Sequence, residues 1–364
     1  MTVRIDETTA VSSWWTGDEI AESIARIRPY TMVRDGALRD LALQVRAVLV
    51  YGIPGDFVEC GVWRGGAAFL VADCLRKAGI DDRRVWLFDS FEGLPAPQPI
   101  DGRAVADYAE NRESRWYFNN CEASFEGVQQ AAADLGLGER LRFVKGWFDQ
   151  SLPAHRNSVG PISLLRLDCD LHNSVRCCLD NFYDQVSSNG FVVLDDYFTF
   201  DGAAIAVHEF LGSRQLAHRI EGVTAAEDGY AGYRCAIFRK GGTNWNDTRE
   251  WLDRIDRAVD EIARQVPAPR EFVLVDQGEL APVHPRMSRG RAFIERAGRD
   301  WGPPADGVAG IQVVEQHRLA GIRELVFTWS AFWWLEEYPE LATHLRSRYR
   351  LAHQSANVLV FDLR

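Results

Sequence analysis

The sequence predicts an α/β protein: a parallel sheet wound with helices on both faces, followed by a second, smaller α/β domain. Three observations predict this. From about residue 57 to 197, short apolar, β-branched segments alternate with helical patterns, as strands joined by helical crossovers do. A charged amphipathic stretch separates that region from a second alternating set beyond residue 268. The chain has 364 residues, 46% of them hydrophobic and 26% charged, which is enough for two cores at ordinary domain sizes.

The strands expected in the first domain are DFVECGV (56–62), RVWLFDS (84–90), RLRFVKG (140–146), ISLLRLD (162–168) and GFVVLDD (190–196). Helices are expected between them over Ala67–Lys77, Ser124–Leu135 and Val175–Val186. RIEGV and YRCAIFRK, with the turn-rich AAEDGYAG between them, read as a hairpin closing the sheet. The first domain, with an N-terminal helical lid, therefore spans 1–242. A connector follows over 243–267, where Trp251, Leu252, Ile255, Val259 and Ile262 recur at helical spacing among charges. Residues 268–364 form the second domain: strand EFVLVD, helix ADGVAGIQVVEQHRLAG, strand IRELVFTW, helix WWLEEYPELATHLRSRY and strand NVLVFDL.

A net charge of −11 repels nucleic-acid backbones and anionic membrane surfaces, so neither is an expected partner. Cys60, Cys74, Cys121, Cys169, Cys177, Cys178 and Cys235 are scattered without CxxC spacing, which argues for reduced packing residues rather than a disulfide framework or zinc site. The N-terminus shows no basic region followed by an apolar run, and no window approaches the roughly 20 apolar residues of a membrane span. A soluble, cytoplasmic protein is the expectation.

The turn after the first strand reads Glu59-Cys-Gly-Val-Trp-Arg-Gly-Gly66. Gly61 permits close backbone approach, and the start of the next helix offers free N–H groups to an anionic group. The spacing is neither the dinucleotide fingerprint nor a P-loop. Asp89, ending the neighbouring strand, is placed to accept hydrogen bonds from a ribose diol. Ribose plus an amino-acid carboxylate without pyrophosphate describes S-adenosylmethionine.

RPYTMV (28–33), GIPGDFVECGVWRGG (52–66), FDSFEGLPAP (88–97), RFVKGWFDQSLP (142–153), LLRLDCDL (164–171) and GFVVLDDY (190–197) stand in an order and spacing that resembles the macrocin O-methyltransferase family. The resemblance covers about residues 20–240. It implies a class I methyltransferase Rossmann-like sheet, S-adenosylmethionine and a divalent cation as cofactors, methylation of sugar hydroxyls of glycosylated natural products, and a homo-oligomer. It further implies that Thr31 and Met32 roof the cofactor, Glu59 and Gly61 approach its methionine part, Asp89 and Ser90 hold the ribose, and Gly146 and Trp147 border the adenine. The family usually has glycine where this chain has Cys169, a larger side chain able to move Asp170. Nothing transfers to His172. Residues from about 268 to 364 resemble, less specifically, a module appended to bacterial glycosyltransferases and methyltransferases.

In a class I sheet the fourth and fifth strands are parallel neighbours, so Asp168, Asp170, Asp195 and Asp196 crowd one edge. Crowded carboxylates repel unless protonated or neutralised. An all-oxygen set favours Mg²⁺, Mn²⁺ or Ca²⁺ over zinc, with Asp168, Asp195 and Asp196 as the expected ligands and Mg²⁺ or Mn²⁺ as the expected ion. A sugar alcohol is a poor nucleophile, and a cation chelating vicinal hydroxyls polarises and orients it. A base must take its proton: Asp170 is the first candidate and His172 the alternative. Trp116, Tyr117 and Phe118, in the long loop 101–121, are candidates for stacking on the acceptor or for plain packing, and the same choice applies to Trp14 and Trp15. The stripe Trp329, Phe332, Trp333 and Trp334 is a candidate for glycan recognition, but consecutive aromatics after a strand read first as core or a subunit interface. The expected activity is therefore an S-adenosylmethionine- and Mg²⁺-dependent O-methyltransferase acting on a glycosylated small molecule or glycan. The alternatives are methylation of a catechol-like phenol and a non-catalytic cofactor-binding scaffold.

Overall fold

In the computed structural model, which describes residues 17–105, 111–113, 117–224, 234–242, 244–278, 280, 287, 289–296 and 299–364, the apolar segments pair into a seven-stranded and a five-stranded sheet. The chain divides into two compact units between Arg249 and Glu250.

The first unit contains β1 (Asp56–Cys60), β2 (Val85–Asp89), β3 (Leu141–Lys145), β4 (Ile162–Leu167), β5 (Val186–Leu194), β6 (Glu221–Thr224) and β7 (Arg234–Arg239). Their order is β3-β2-β1-β4-β5-β7-β6. β1 to β5 are parallel, and β7 runs antiparallel to both β5 and β6. This is the class I methyltransferase sheet. Its helices are α1 (Gly17–Ile27), α2 (Asp35–Val50), α3 (Gly66–Lys77), α4 (Phe125–Asp134), α5 (Phe148–Val159), α6 (His172–Phe182) and α7 (Asp201–Ser213). Every residue of β4 is buried, as expected of a central parallel strand covered on both faces. From β1 the chain winds outward through β2 and β3, then restarts at β4 and winds the other way. The carboxyl ends of β1 and β4 consequently face the crevice where such sheets take ligands.

The second unit carries β8 (Phe272–Val275), β9 (Gly290–Ala292), β12 (Glu324–Thr328), β13 (Arg350–Gln354) and β14 (Val358–Asp362) in the order β13-β14-β12-β8-β9, with β10 (Glu295–Arg296) and β11 (Arg299–Asp300) as a separate pair. The boundary between units falls within α8 (Trp245–Gln265); α9 (Gly307–Leu319), α10 (Trp334–Glu337) and α11 (Pro339–Arg348) follow. Phe327, Trp334, Leu341, Leu345 and Phe361 lie in its core.

Several elements differ from expectation. The helix expected over Val175–Val186 starts earlier and ends at Phe182, because β5 begins at Val186. Asn189 takes a left-handed φ of 65°, and the pairing of β4 with β5 jumps from Ile162↔Val186 to Leu164↔Phe191, so a bulge absorbs the polar SSNG stretch. The long helix expected from Trp333 breaks at Tyr338, since Pro339 disfavours helical geometry at the residue before it and opens a new helix instead. RLAHQ forms the edge strand β13, whose half-exposed residues lack the apolar alternation that marks a strand. All seven cysteines are free. No described helix is long and apolar enough to cross a membrane.

Candidate functional site

The end of β1 lies tight against the end of β4. Gly61 has φ +84°, and a Cβ there would come 1.7 Å from the Asp168 carbonyl oxygen, so only glycine lets the two strand tips touch. At the start of α3, a Cβ on Gly66 would approach Thr31 Cβ to 2.5 Å and the Tyr30 carbonyl to 2.7 Å. The segment after α1 is thereby seated on the helix start. Asp89 holds the turn between: Oδ2 accepts from Val62 N at 2.6 Å and Trp63 N at 3.1 Å, and Oδ1 accepts from Phe91 N at 2.7 Å. Burial pushes the Asp89 carboxyl up, and those three amides pull it back only in part.

The tip of β4 is locked to β1 by Asp168 N donating to the Cys60 carbonyl, and the tip of β5 to β4 by Asp195 N donating to the Leu167 carbonyl, both at 2.9 Å. One carboxylate oxygen from each of Asp168, Asp195 and Asp196 lies within 4.8 Å of the others. Asp170 adopts φ +57°, and its N–H donates to Asp196 Oδ2 at 3.1 Å. That turn carries its carboxylate to the same cavity wall.

Beneath these acids lies Arg166 of β4, which the sequence reading did not single out. Its Nη1 donates to Glu59 Oε1 and Asp168 Oδ2, both at 2.6 Å, and Nη2 donates to Asp195 Oδ1. Cys235 Sγ also donates to Asp195 Oδ1, at 3.2 Å. Arg166 is 3% exposed and Glu59 4%, and the two are register partners across β4 and β1. Alternation along β4 puts residues 166 and 168 on one face, a signal that could have found the arginine. Burial raises Glu59 to about 8 against the pull of Arg166. Burial, then the charges of Asp168 and Asp195, raise Asp170 to about 8. Asp168 rises to about 6, and Asp196 stands well above the carboxylate range, through burial first and its acidic neighbours next. This is the electrostatic signature of acids short of positive charge. Hard oxygen donors grouped this closely fit a divalent cation of the Mg²⁺ class.

A cavity of about 830 Å³ opens over this wall, lined by Thr31, Met32, Glu59, Gly61, Asp89, Ser90, Trp147, Asp168, Asp170, Asp195 and Asp196. Gly146 is the one predicted cofactor residue outside that lining; its N–H bonds the Asp89 carbonyl at 2.9 Å. Glu59 lines the cavity, and its Oε2 is buried without a hydrogen-bond partner, the kind of orphan polar oxygen that a ligand can satisfy. Ser90 Oγ donates to the Gly93 carbonyl and accepts from Glu92 N, both at 3.0 Å. Cys169 is buried at 3% exposure beside the apolar core. The structure does not bring His172 to the other predicted site residues. As the first residue of α6, it sits with Nε2 2.9 Å from Glu209 Oε2 and Nδ1 3.1 Å from Asn173 Oδ1, away from the cavity lining. Its backbone N–H is capped by buried Asp101 at 2.7 Å. Trp14, Trp15, Trp116 and the side chain of Phe118 lie outside the described residues.

The macrocin O-methyltransferase (TylF) family model matches residues 20–228. Over 186 residues, 50% of this chain and 68% of the relative, the sequence is 38% identical to 8-demethyl-8-(2,3-dimethoxy-alpha-L-rhamnosyl)-tetracenomycin-C 4'-O-methyltransferase of Streptomyces olivaceus. It is 32% identical over 192 residues, 52% of this chain and 74% of the relative, to mycinamicin III 3''-O-methyltransferase of Micromonospora griseorubida. Among solved structures, the O-methyltransferase NovP is similar with a TM-score of 0.51 at 29% identity, covering 58% of this chain and 83% of that one.

Proposed function

Because the chain belongs to the macrocin O-methyltransferase family, we propose that it transfers a methyl group from S-adenosylmethionine to a sugar hydroxyl of a glycosylated natural product or glycan. A divalent cation, Mg²⁺ or Mn²⁺, would be held by Asp168, Asp195 and Asp196. One observation carries this reading: three carboxylate oxygens converge within 4.8 Å on the wall of the cavity that Glu59 and the glycine-rich turn also line. Relatives named for methylation at a 4' or 3'' oxygen support the acceptor class.

Each part of the wall has its own task. Asp89 fixes the glycine-rich turn through its three amide bonds, and Glu59 Oε2 offers an acceptor to the cofactor's amino-acid end. Thr31 and Met32 cover the cofactor from the segment seated on α3. When bound, the cation supplies Lewis-acid polarisation of an alcohol oxygen. Asp170 is the base: it lines the cavity beside the metal acids and receives the hydroxyl proton as the carbon–oxygen bond forms and the carbon–sulfur bond breaks. His172, engaged with Glu209, steadies the start of α6.

The test is a mass-spectrometric screen of glycosylated acceptors and simple catechols with S-adenosylmethionine, each run with Mg²⁺ and with chelator. A mass gain of one methyl on a sugar, lost on chelation, is the expected result. Methylation of catechols alone would replace the acceptor class, and turnover indifferent to thorough metal removal would remove the cation from the reading.

A further inference from the structure

Arg166 links two groups that the proposed function uses separately. One nitrogen of its guanidinium, Nη1, is shared at 2.6 Å between Glu59 on β1 and Asp168 at the tip of β4, while Nη2 bonds Asp195 at the tip of β5. Three strand ends thus meet on one planar, five-donor fork. Each bond takes one named oxygen: Oε1 of Glu59, Oδ2 of Asp168 and Oδ1 of Asp195. That fixes the rotation of both aspartates. Arg166 itself is 3% exposed and is not among the residues lining the cavity, so it reaches any bound group only through these acids.

We infer that Arg166 is a positioning residue, resting on the metal reading above: it sets the orientation of Asp168 and Asp195 for a divalent cation and ties that orientation to Glu59, so that a change at the cofactor acid is felt at the metal acids. Outer partners that orient metal ligands typically account for about 10–100-fold in metal affinity. The fork explains why an arginine is placed beneath acids that are to hold a cation. A lysine would bring the same charge without the planar, multidentate geometry.

The experiment is Mn²⁺ titration of the full-length protein, followed by electron paramagnetic resonance, for the wild type and for Asp196→Asn, Arg166→Lys and Glu59→Gln. The wild type should bind one Mn²⁺ that Asp196→Asn loses. Arg166→Lys, which keeps the charge and removes the fork, should bind about 10–100-fold more weakly with an altered spectrum of the bound ion. Glu59→Gln should also weaken Mn²⁺ binding severalfold although Glu59 is no ligand, an effect that a merely structural role of the arginine does not produce. It decides the matter should Arg166→Lys fail to fold. Wild-type binding with unchanged Mn²⁺ affinity in Glu59→Gln would overturn the inference and leave the metal reading standing. A wild type that binds no Mn²⁺ at these acids would overturn both.

Discussion

In the first unit, Glu59, Asp168 and Asp195 share the guanidinium of Arg166, with Asp170 and Asp196 crowded beside them. In the second unit, Asp362 alone takes both Arg364 and Arg350, and Glu315 is held by Tyr349, Arg318 and His344. Both sets stand on a sheet or on a helix packed against one. Their chemistry nevertheless runs in opposite directions: burial pushes Glu59 and Asp170 up to about 8, whereas hydrogen bonds from Tyr349 and Arg318 draw Glu315 down to about 2 and Arg364 holds Asp362 below the carboxylate range. Acids that stabilise a fold are saturated with partners. Acids kept for a ligand are left short of positive charge, at a cost to the free protein.

The comparison breaks most visibly at the metal acids. Replacing Asp196 by Asn should lower turnover roughly 10³-fold, equivalent to several kcal/mol of transition-state stabilisation. Without metal, the same variant should melt no lower than the wild type, since it relieves repulsion. Methyl-transfer rates and chelated thermal melts read the two effects. A sharp fall in melting temperature together with retained activity would make Asp196 a structural acid like those of the second unit. Next in size is Asp170→Asn, expected to cost roughly 10²-fold or more in turnover while S-adenosylhomocysteine and Mn²⁺ binding persist in calorimetry. Near-normal turnover there would move the base elsewhere on the wall.

The ease with which these acids were found in the sequence follows from the same contrast. A carboxylate at the tip of an apolar run is conspicuous, and Asp168, Asp195 and Asp196 ended strands whose neighbours were already indicated by the order of motifs. Arg166 was not conspicuous, because one charge inside LLRLD reads as an interruption of a strand until the partner strand supplies Glu59 across the register. His172 is of a residue type suited to proton transfer, yet its position at the start of α6 turns it to Glu209, a packing outcome that no local pattern announces. The β5 bulge at Asn189 and the exposed edge strand β13 stayed hidden for a related reason: both are settled by tertiary pairing rather than by apolar period. Pro339, by contrast, marks the break in the last helical region within the sequence itself.

The pH dependence of stability sharpens the comparison with a smaller effect. For Glu59, Asp170 and Asp168, the folded state holds its proton to about 8, 8 and 6, while the unfolded chain releases it near 4. Between those limits the native state binds more protons, so stability falls as pH rises from about 4 to 8. For Glu315 and Asp362 the folded pKa is depressed. Their contribution is complete above about 4.5 and is lost as pH falls toward 2. Urea melts of chelated protein should therefore weaken from pH 5 to pH 8, and added Mg²⁺ should flatten that trend. An unchanged slope with Mg²⁺ would mean that the cation does not meet these acids.

The smallest expected effect lies at Glu315. It accepts from Tyr349 Oη on the residue after α11, from Arg318 one turn along α9 at 2.8 Å, and pairs with His344 of α11 at 3.0 Å, so one carboxylate fastens two helices. Its side chain keeps 25% of its surface in water, which screens the ion pairs and limits what they contribute. Glu315→Gln retains one acceptor oxygen and removes the charge, for an expected loss of about 1 kcal/mol in denaturant melts, a smaller loss in high salt, and no change in methyl transfer. Should that substitution instead alter turnover, the saturated acids of the second unit would have a part in the chemistry, and the division between ligand-directed and fold-directed carboxylates would have to be drawn elsewhere.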